Sequence, residues 1–281
     1  MARRRRAVVA DVIHAAWRRL QQAGMITADT AAGRRFGAFG PHSLMAFPTG
    51  SVFGERWIGI GDRTMIAEQV TLSAGMMPGH DLGAGLVLRV GDRCVIGRGS
   101  HIVAHHSIDI GDDVYTGPYV YITDQNHSYT DPDLPIGRQW PVNAAVSIGA
   151  GTWLGTGVTI LPGAVVGKNV VVAAGSVVRG TIPDHCVIAG SPARVIRCYR
   201  PETGWSRLPP ELPGWSRLPP ELSGRAPLSC GTNASPCMAR STRSAARAAA
   251  ASRLPSLRYA VSTASTAPGG RCGPSSERAV R

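Results

Sequence analysis

The sequence predicts an all-β solenoid of six-residue repeats, preceded by a basic helix and followed by a tail without periodic structure. Residues 148–183 divide into the six blocks IGAGTW, LGTGVT, ILPGAV, VGKNVV, VAAGSV and VRGTIP. Every block opens with an aliphatic residue, and its fifth position is small or β-branched. A period of six matches neither the period of a helix nor the alternation of a strand, and it is typical of a solenoid.

Three such blocks close one triangular coil if each forms a flat side and a turn. The opening aliphatic residues then point inward, and each stacks on its equivalent one coil later. One coil cannot bury its own inner face, so the stack becomes stable only as neighbouring coils are added. We therefore expect contacts between three pairs: Ile148 with Val166, Leu154 with Val172, and Ile160 with Val178.

Residues 1–35 are the first predicted domain, a basic helical segment. Apolar side chains recur at helical spacing within residues 7–24, and Gly24 is a suitable end for the helix. The apolar run after the N-terminal arginines is too short for a signal peptide, because Asp11 interrupts it. We expect the helix to lie over the open end of the solenoid, and the alternative is binding to a membrane surface or a partner.

Residues 36–198 are the second predicted domain, the β-helix of hexapeptide repeats. Residues 34–57 are rich in Gly, Phe and Pro and are expected to be irregular, so that the repeats begin at Ile60. Two stretches interrupt the repeats, residues 78–88 and 128–147, and their turn-forming residues predict protruding loops. Long loops in a compact repeat are usually functional or disordered.

Residues 199–281 are the third predicted segment, a low-complexity tail rich in Arg, Ala, Ser and Pro. The nonapeptide GWSRLPPEL occurs twice, at 204–212 and 214–222, and no period follows it. Such a composition has little apolar surface to bury, so the tail is expected to be disordered. The duplication, and 29 Arg against a single Lys, suggest a duplication or reading-frame change in the coding sequence, and we assign the tail no function.

Charge and cysteine content limit the possible functions. The net charge of +12 belongs to the two ends, and residues 36–198 carry a small negative balance, so no nucleic-acid surface is predicted on the repeats. No run of eighteen apolar residues is present, and the six cysteines have no CxxC spacing. Cys94 occupies an inward fifth position, as a small hydrophobe. We therefore expect a cytoplasmic protein without a transmembrane segment.

Several motifs resemble one known family. LGTG after Trp153, ILPGA at 160–164, AAGSVV at 173–178 and AGSPARVIR at 189–197 are similar to the last coils and closing segment of the hexapeptide-repeat acyltransferases. The similarity is to the branch of maltose, galactoside and xenobiotic O-acetyltransferases. It implies a left-handed parallel β-helix, a homotrimer, acetyl-CoA as co-substrate and no metal.

The resemblance places the catalytic role on His127, at the end of ITDQNH. Acyl transfer to a hydroxyl needs a base for the acceptor's proton, and the ordinary pKa of histidine suits this task. The predicted activity is transfer of an acetyl group from acetyl-CoA to a hydroxyl of a sugar or glycoconjugate in a ternary complex. The residues expected to orient the imidazole or bind the acceptor, unless they only form turns or corners, are His105, Asp124, Asn126 and Gln139.

The resemblance also implies the donor site. Relative to Trp153, the coenzyme A contacts of the family fall on Thr156, Ala174, Arg194 and Arg197. Small residues at corners let a pantetheine arm lie along the prism, and arginines suit phosphates. Where the galactoside enzymes have a Thr-Lys pair before the closing Ile-Pro, this chain has Arg179 and Gly180, and Arg179 is expected to replace the missing charge.

Two other interpretations stay open. His101 and His106 have the spacing that the related gamma carbonic anhydrases use to bind zinc, and His80 is the candidate third ligand. The other interpretation is a non-catalytic scaffold that has kept the fold. The missing Thr-Lys pair favours this interpretation weakly. Stoichiometric zinc in purified protein would favour the first, and stabilisation by coenzyme A would favour the transferase over both.

Overall fold

The computed structural model describes residues 2–77 and 79–207, and of residues 2–5 only the backbone. This part of the chain contains one long helix and a solenoid of parallel strands with three flat faces. The six-residue period therefore produces the predicted all-β solenoid, and one block corresponds to one side of a coil.

The elements follow one another in coils. The helix α1 spans Ala2–Gly24, and the strands before the first protruding loop are β1 (Ile26–Thr27), β2 (Ala38–Phe39), β3 (Leu44–Met45), β4 (Val52–Phe53), β5 (Ile58–Ile60), β6 (Met65–Ile66) and β7 (Thr71–Ala74). The next strands are β8 (Leu88–Val90), β9 (Val95–Ile96), β10 (His101–Ala104), β11 (Ile108–Ile110), β12 (Tyr115–Thr116) and β13 (Tyr121–Thr123). The second loop contains β14 (Gln125–Asn126) and β15 (Val142–Asn143).

The last coils and the closing segment complete the chain of elements. They consist of β16 (Val146–Ile148), β17 (Trp153–Leu154), β18 (Thr159–Ile160), β19 (Val165–Val166), β20 (Val171–Val172), β21 (Val177–Val178), β22 (Thr181–Ile182), β23 (Cys186–Gly190), β24 (Ala193–Arg200) and β25 (Gly204–Arg207). Short 3-10 helices lie at Gly33–Arg35, Glu55–Trp57 and Ile136–Arg138.

Each face of the prism is one sheet. Face A has the strand order β1-β3-β6-β9-β12-β17-β20-β23-β24-β25, face B has β2-β5-β8-β11-β16-β19-β22, and face C has β4-β7-β10-β13-β18-β21. Strands of successive coils pair in parallel, whereas β1 with β3, and β24 with both β23 and β25, pair antiparallel at the two ends of face A. The chain passes from face B to face A to face C within each coil.

The opening aliphatic residues form the core. The three expected contacts are confirmed, because Ile148 pairs with Val166, Leu154 with Val172, and Ile160 with Val178. All of these side chains are at most 2% exposed. Each coil covers the apolar inner surface of the one before it, which is the reason that the period must be kept along the stack.

Small polar residues at the fifth positions join neighbouring coils. The Thr152 hydroxyl donates to the Gly167 carbonyl oxygen at 3.0 Å and accepts from the Val170 nitrogen at 3.2 Å. Cys94 is fully buried as expected, and its thiol donates to the Gly111 carbonyl oxygen at 3.1 Å. These side chains satisfy backbone groups that the turns of the solenoid leave without a partner in their own coil.

The start of the solenoid differs from the prediction. Residues 34–57 are not irregular: they form a first coil through β2, β3 and β4, which pair with β5, β6 and β7. Phe39 lies beside Ile60 and Met45 beside Ile66, so the period of six is already present. An aromatic residue and a methionine replace the usual aliphatic openers, and this replacement concealed the repeat.

The end of the solenoid also extends beyond the predicted boundary at residue 198. Strand β24 continues to Arg200, and β25 folds back on it, so that Tyr199 pairs with Trp205. Their rings meet edge to face with centroids 5.7 Å apart. The start of the first GWSRLPPEL copy is therefore a strand, whereas residues 208–281, with the second copy, lie outside the described residues.

The helix α1 does not bury its apolar side chains against the solenoid. Val8, Val12 and Ile13 are 59%, 62% and 60% exposed, and Leu20 is 51% exposed. The expectation that this helix covers the open end of the stack is therefore not met in the single chain. In the described part of the chain, no helix is both long enough and apolar enough to cross a membrane.

Candidate active site

Two edges of the prism carry the predicted site residues. The C–B edge is where the chain passes from face C to face B, and it includes the corner 105–107 and both protruding loops. The A–C edge is where the chain passes from face A to face C, and it includes the corners 155–157 and 173–175. Both loops leave the prism at one edge because each follows a strand of face C.

The loops begin earlier than the sequence predicts. The first spans residues 75–87 and the second residues 124–145, because Leu88 and Val146 already belong to strands of face B. The second loop is not wholly without strands, since β14 and β15 form a short antiparallel hairpin at its base. The chain therefore leaves the prism at Asp124, before His127.

Asp124 fixes the corner of the preceding coil. Its side chain is fully buried, and its carboxylate accepts three backbone hydrogen bonds, from His105 at 2.8 Å, His106 at 2.7 Å and Ser107 at 2.6 Å. The Asp124 carbonyl oxygen accepts from the Ala144 nitrogen at 2.7 Å, which ties the end of the loop to its beginning. Because the carboxylate is buried and bonded to this corner, Asp124 positions the corner and is not exposed to an acceptor.

His127 lies immediately after the hairpin strand β14 and is exposed. The hairpin sets its position, because Gln125 pairs with Asn143 and Asn126 pairs with Val142. Asn126 is exposed beside it. The imidazole and the Asn126 amide are therefore available to a ligand at the base of the second loop.

His105 lies close to His127 at the same edge. Burial lowers the pKa of His105, and the nearby His80 and His127 add to this effect, whereas Asp124 opposes it. The Nδ1 atom of His105 and the Oε1 atom of Gln125 are buried without a hydrogen-bond partner. Strand pairing places these two residues on neighbouring coils. His80 also belongs to this group, whereas the sequence analysis considered it only as the third zinc ligand.

The lowered pKa of His105 predicts acid sensitivity. A histidine whose pKa is lower in the folded state stays neutral where the unfolded chain takes up a proton, so stability is lost as the pH falls below the ordinary histidine value of about 6.5. We expect His105→Gln to reduce the fall in Tm between pH 8 and pH 5.5, measured by circular dichroism. The exposed His14→Gln is the matched control. An unchanged pH dependence in His105→Gln would contradict this prediction.

Gln139 organises the second loop from within. It is 9% exposed, and its amide nitrogen donates to the carbonyl oxygens of Asp131 and Leu134 at 2.9 and 2.8 Å. Its Oε1 atom accepts from the Asp131 nitrogen at 3.2 Å. These bonds use the polar atoms that the sequence analysis expected to contact the acceptor, so its part is to shape the loop around His127.

The A–C edge carries small, exposed side chains and no protruding loop among the described residues. Thr156 and Ala174 are exposed on successive coils, and the corners pack so closely that a Cβ atom on Gly155 would lie 2.6 Å from the Ala174 nitrogen. Glycine is therefore required there. Arg194 pairs with Ala189 at the end of this edge, and its guanidinium donates to the Ala193 carbonyl oxygen at 3.0 Å. The edge is thus a row of small side chains, and Arg194 lies at the end of this row.

The other two predicted donor residues lie elsewhere. Arg197 is exposed on the outer side of face A, where it pairs with Val187. Arg179 is exposed at the C–B edge, on the side of His127. The expected grouping of Arg179 with Thr156 and Ala174 is therefore not found within one chain.

Face A also carries a column that the sequence analysis overlooked. Its outward side chains form one line across successive strands: Met65, Val95, Tyr115, Trp153, Val171 and Val187. Met65, Tyr115 and Trp153 are 43%, 53% and 49% exposed. The signal was present in the sequence, because the residue before the opener is apolar in each of these blocks.

His127 and the A–C edge lie at opposite ends of the strands of face C. The pairing of β13 with β18 places Thr123 level with Leu161, five residues beyond Thr156. At a strand rise of about 3.3 Å per residue this corresponds to roughly 16 Å. Within a single chain the two halves of the predicted site are therefore separated by the width of one face.

The zinc interpretation finds no ligand set in residues 2–77 and 79–207. No group of three or more His, Cys, Asp or Glu side chains there is arranged to hold a metal ion. His101 is exposed on the outer side of face C, whereas His106 is at the corner and His80 is in the first loop. The strand β10 thus directs His101 away from the other two histidines.

Two family models match the repeats. One is described as bacterial transferase hexapeptide (six repeats) and matches residues 145–180. The other is described as hexapeptide repeat of succinyl-transferase and matches residues 87–123. Both matches fall on the coils that surround the second loop.

Curated relatives include acetyltransferases of several organisms. A protein of Mycobacterium tuberculosis named as a probable acetyltransferase is 37% identical over 142 residues, which are 50% of this chain and 42% of that protein. A protein of Escherichia coli K12, named for O-acetyl transfer in lipopolysaccharide biosynthesis, is 44% identical over 37% of this chain and 56% of its own length. A galactoside O-acetyltransferase of Lactococcus lactis is 42% identical over 34% of this chain and 45% of that protein. The chain spans about half the length of these relatives.

Solved structures share the fold. A point mutant of the N-acyltransferase AntD of Bacillus cereus, in complex with dTDP-4-amino-4,6-dideoxyglucose and coenzyme A, superposes with a TM-score of 0.52 at 17% identity. The superposition covers 63% of this chain and 92% of that chain. At this identity the similarity concerns the fold alone. With the repeat matches, it identifies the solenoid as a left-handed parallel β-helix.

Proposed function

The repeats of this chain are those of the hexapeptide-repeat acetyltransferase family, and from this premise we propose that it transfers an acetyl group from acetyl-CoA to a hydroxyl of a sugar or glycoconjugate. The observation that carries the proposal is the exposed His127 at the base of the second loop, on the edge that Asp124 fixes. In the proposed reaction His127 takes the proton of the acceptor hydroxyl, and the oxygen attacks the thioester carbon. The carbon–sulfur bond then breaks, and coenzyme A leaves as the thiol with the proton that His127 has taken.

The A–C edge suits the donor. Its small residues Thr156 and Ala174 leave room for a pantetheine arm along the corner, and Arg194 at its end provides a cation for a phosphate. Arg197 on face A and Arg179 on the C–B edge are further cations within this proposal. Titration of the full chain with coenzyme A should raise its Tm, because a ligand that binds only the folded state stabilises it.

The distance between the two edges supports a site that a second copy completes. One chain places His127 and Thr156 beyond opposite ends of the strands of face C. Two solenoids packed side by side can bring the C–B edge of one to the A–C edge of the other. Repetition of this contact closes a ring, and the family resemblance implies a ring of three copies.

Turnover of acetyl-CoA tests the function directly. Release of free thiol is followed with a panel of sugars, nucleotide-linked sugars, amino sugars and aminoglycoside antibiotics. Acceptor-dependent release supports the transferase, and the best acceptor identifies hydroxyl or amine chemistry. Stabilisation by coenzyme A without turnover would leave a donor site with an untested acceptor. The absence of both binding and turnover would favour the non-catalytic scaffold.

Complementation between inactive variants tests the shared site. We expect His127→Ala and Thr156→Trp to be inactive separately, the second because an indole on the exposed A–C edge blocks the donor. Copies of both types refolded together should recover activity, with about a quarter of the sites intact if each site joins two copies. Arg63→Trp, an exposed corner substitution on another edge, is the control. Mixtures that stay inactive would contradict a site shared between copies.

A further inference from the structure

Cys186 and Cys198 lie directly opposite each other on β23 and β24. The Tyr199 nitrogen donates to the His185 carbonyl oxygen at 2.9 Å, so the adjoining pair of residues is the hydrogen-bonded one. Bonded and non-bonded pairs alternate along antiparallel strands, and the cysteines therefore form a non-bonded pair, with Cα atoms about 4.5 Å apart and side chains at their closest. This spacing is within the range that a disulfide requires.

Burial and contact distinguish this pair from the other described cysteine. Cys186 and Cys198 are 1% and 2% exposed, and each thiol is close enough to shift the pKa of the other. Cys94 is equally buried, but its thiol contacts backbone carbonyl oxygens. The Cys186 thiol lowers the pKa of Cys198, and Arg200 adds to this effect. The Cys198 thiol raises the pKa of Cys186, and burial raises it further.

We propose that Cys186 and Cys198 are a dithiol site that a low-molecular-weight disulfide oxidises to an intramolecular disulfide. Nothing in the spacing of these cysteines suggests a pair, because the turn between β23 and β24 separates them in sequence. The strand register brings them together. The site lies at the end of face A, where only β25 follows β24 among the described residues.

The reaction is a double thiol–disulfide exchange. The Cys198 thiol loses its proton, and the thiolate attacks one sulfur of the small disulfide, which breaks its S–S bond and releases one thiolate. Cys186 then loses its proton and attacks the Cys198 sulfur, releasing the second thiolate. The two protons go to the two released thiolates, so the small disulfide is reduced to two thiols and the protein dithiol is oxidised. Access to the buried Cys198 requires β24 to open at the end of the face.

The disulfide would close a loop that contains Arg194 and Arg197. It would fix the hairpin of β23 and β24 and remove conformations from the unfolded chain, so the folded state gains stability. A consequence for donor binding rests on the proposed function, which assigns phosphate contacts to these arginines. A hairpin fixed in advance loses less conformational freedom on binding, so the KM for acetyl-CoA should fall about two- to fivefold.

Disulfide mapping tests the proposal without reference to activity. The reduced full chain is incubated with oxidised glutathione under native conditions, quenched with N-ethylmaleimide, digested and analysed by mass spectrometry. We expect a peptide that links Cys186 to Cys198, while Cys94 is modified only after unfolding. Tm should rise by about 5 °C on oxidation and return on reduction. Cys94→Ser should keep this rise, and Cys198→Ala should lose it.

Two results would overturn the dithiol site. One is a folded, glutathione-treated protein with both cysteines still free, and the other is a stable mixed disulfide of glutathione that Cys186 does not displace. An unchanged KM for acetyl-CoA in the oxidised protein would overturn the effect on donor binding. A protein without any turnover would contradict the proposed function and leave the mapping result as it stands.

Discussion

Replacement of His127 by alanine is expected to lower kcat for acyl transfer about 10²- to 10⁴-fold, which is the usual contribution of a general base. An acceptor hydroxyl is a weak nucleophile until its proton is removed, and His127 is the exposed imidazole that the hairpin of β14 and β15 places at the base of the second loop. The KM for acetyl-CoA should change little, because the proposed donor contacts lie on the A–C edge. Thiol release at saturating acceptor measures both parameters.

The control must separate lost chemistry from lost structure. His14→Ala replaces an exposed histidine on α1 and should leave kcat unchanged. Added imidazole should restore part of the activity of His127→Ala, since a free base can occupy the space of the missing ring. Activity of His127→Ala within twofold of the wild type would exclude His127 as the base and direct attention to His105 and His80 at the same edge.

The sequence predicted the parts of the structure that repeat. Each opening aliphatic residue has the same neighbours in every coil, so the contact of Leu154 with Val172 followed from spacing alone. The period was hidden only where Phe39 and Met45 replace aliphatic residues. The left hand of the helix did not follow from spacing, because a triangular coil of either hand has the same period.

The candidate site was less accessible from the sequence because corners and loops do not repeat. The sequence around Asp124 is compatible with a simple turn. Only the folded chain shows that its carboxylate accepts hydrogen bonds from backbone nitrogens of the preceding coil. The sequence analysis assigned Gln139 to the imidazole, to the acceptor or to a turn, and the folded chain buries its side chain within the loop. The separation of His127 from Thr156 depends on the edge that each corner occupies. The sequence does not show these edges, because the two loops interrupt the period of six.

The same corner contacts make Asp124→Ala the substitution with the largest expected effect on stability. The change removes a fully buried carboxylate and leaves the backbone N–H groups of residues 105–107 without their acceptor. Unpaired buried donors cost about 1–3 kcal/mol each, and water entering the space offsets part of this. We expect the free energy of unfolding to fall by about 4 kcal/mol. Urea denaturation followed by circular dichroism measures it.

The variant Asp124→Asn tests whether the corner needs both carboxylate oxygens as acceptors. In Asp124→Asn the amide oxygen can replace the atom that accepts from His106 and Ser107, but the amide nitrogen then faces the His105 nitrogen, so two donors oppose each other. The loss should be about half of that in Asp124→Ala. Asp109→Asn, which removes only an exposed ion pair with Arg89, should change stability by less than about 1 kcal/mol.

The activity of the Asp124 variants shows whether this carboxylate positions His127 in addition to stabilising the fold. Asp124 joins the corner of His105 to the beginning and end of the loop that carries His127, so the folded Asp124→Asn protein should lose kcat while its KM for acetyl-CoA is kept. A protein that is destabilised as expected but turns over at the wild-type rate would show that the loop holds His127 without this carboxylate. Equal stability of Asp124→Ala and Asp109→Asn would contradict the buried three-bond arrangement itself.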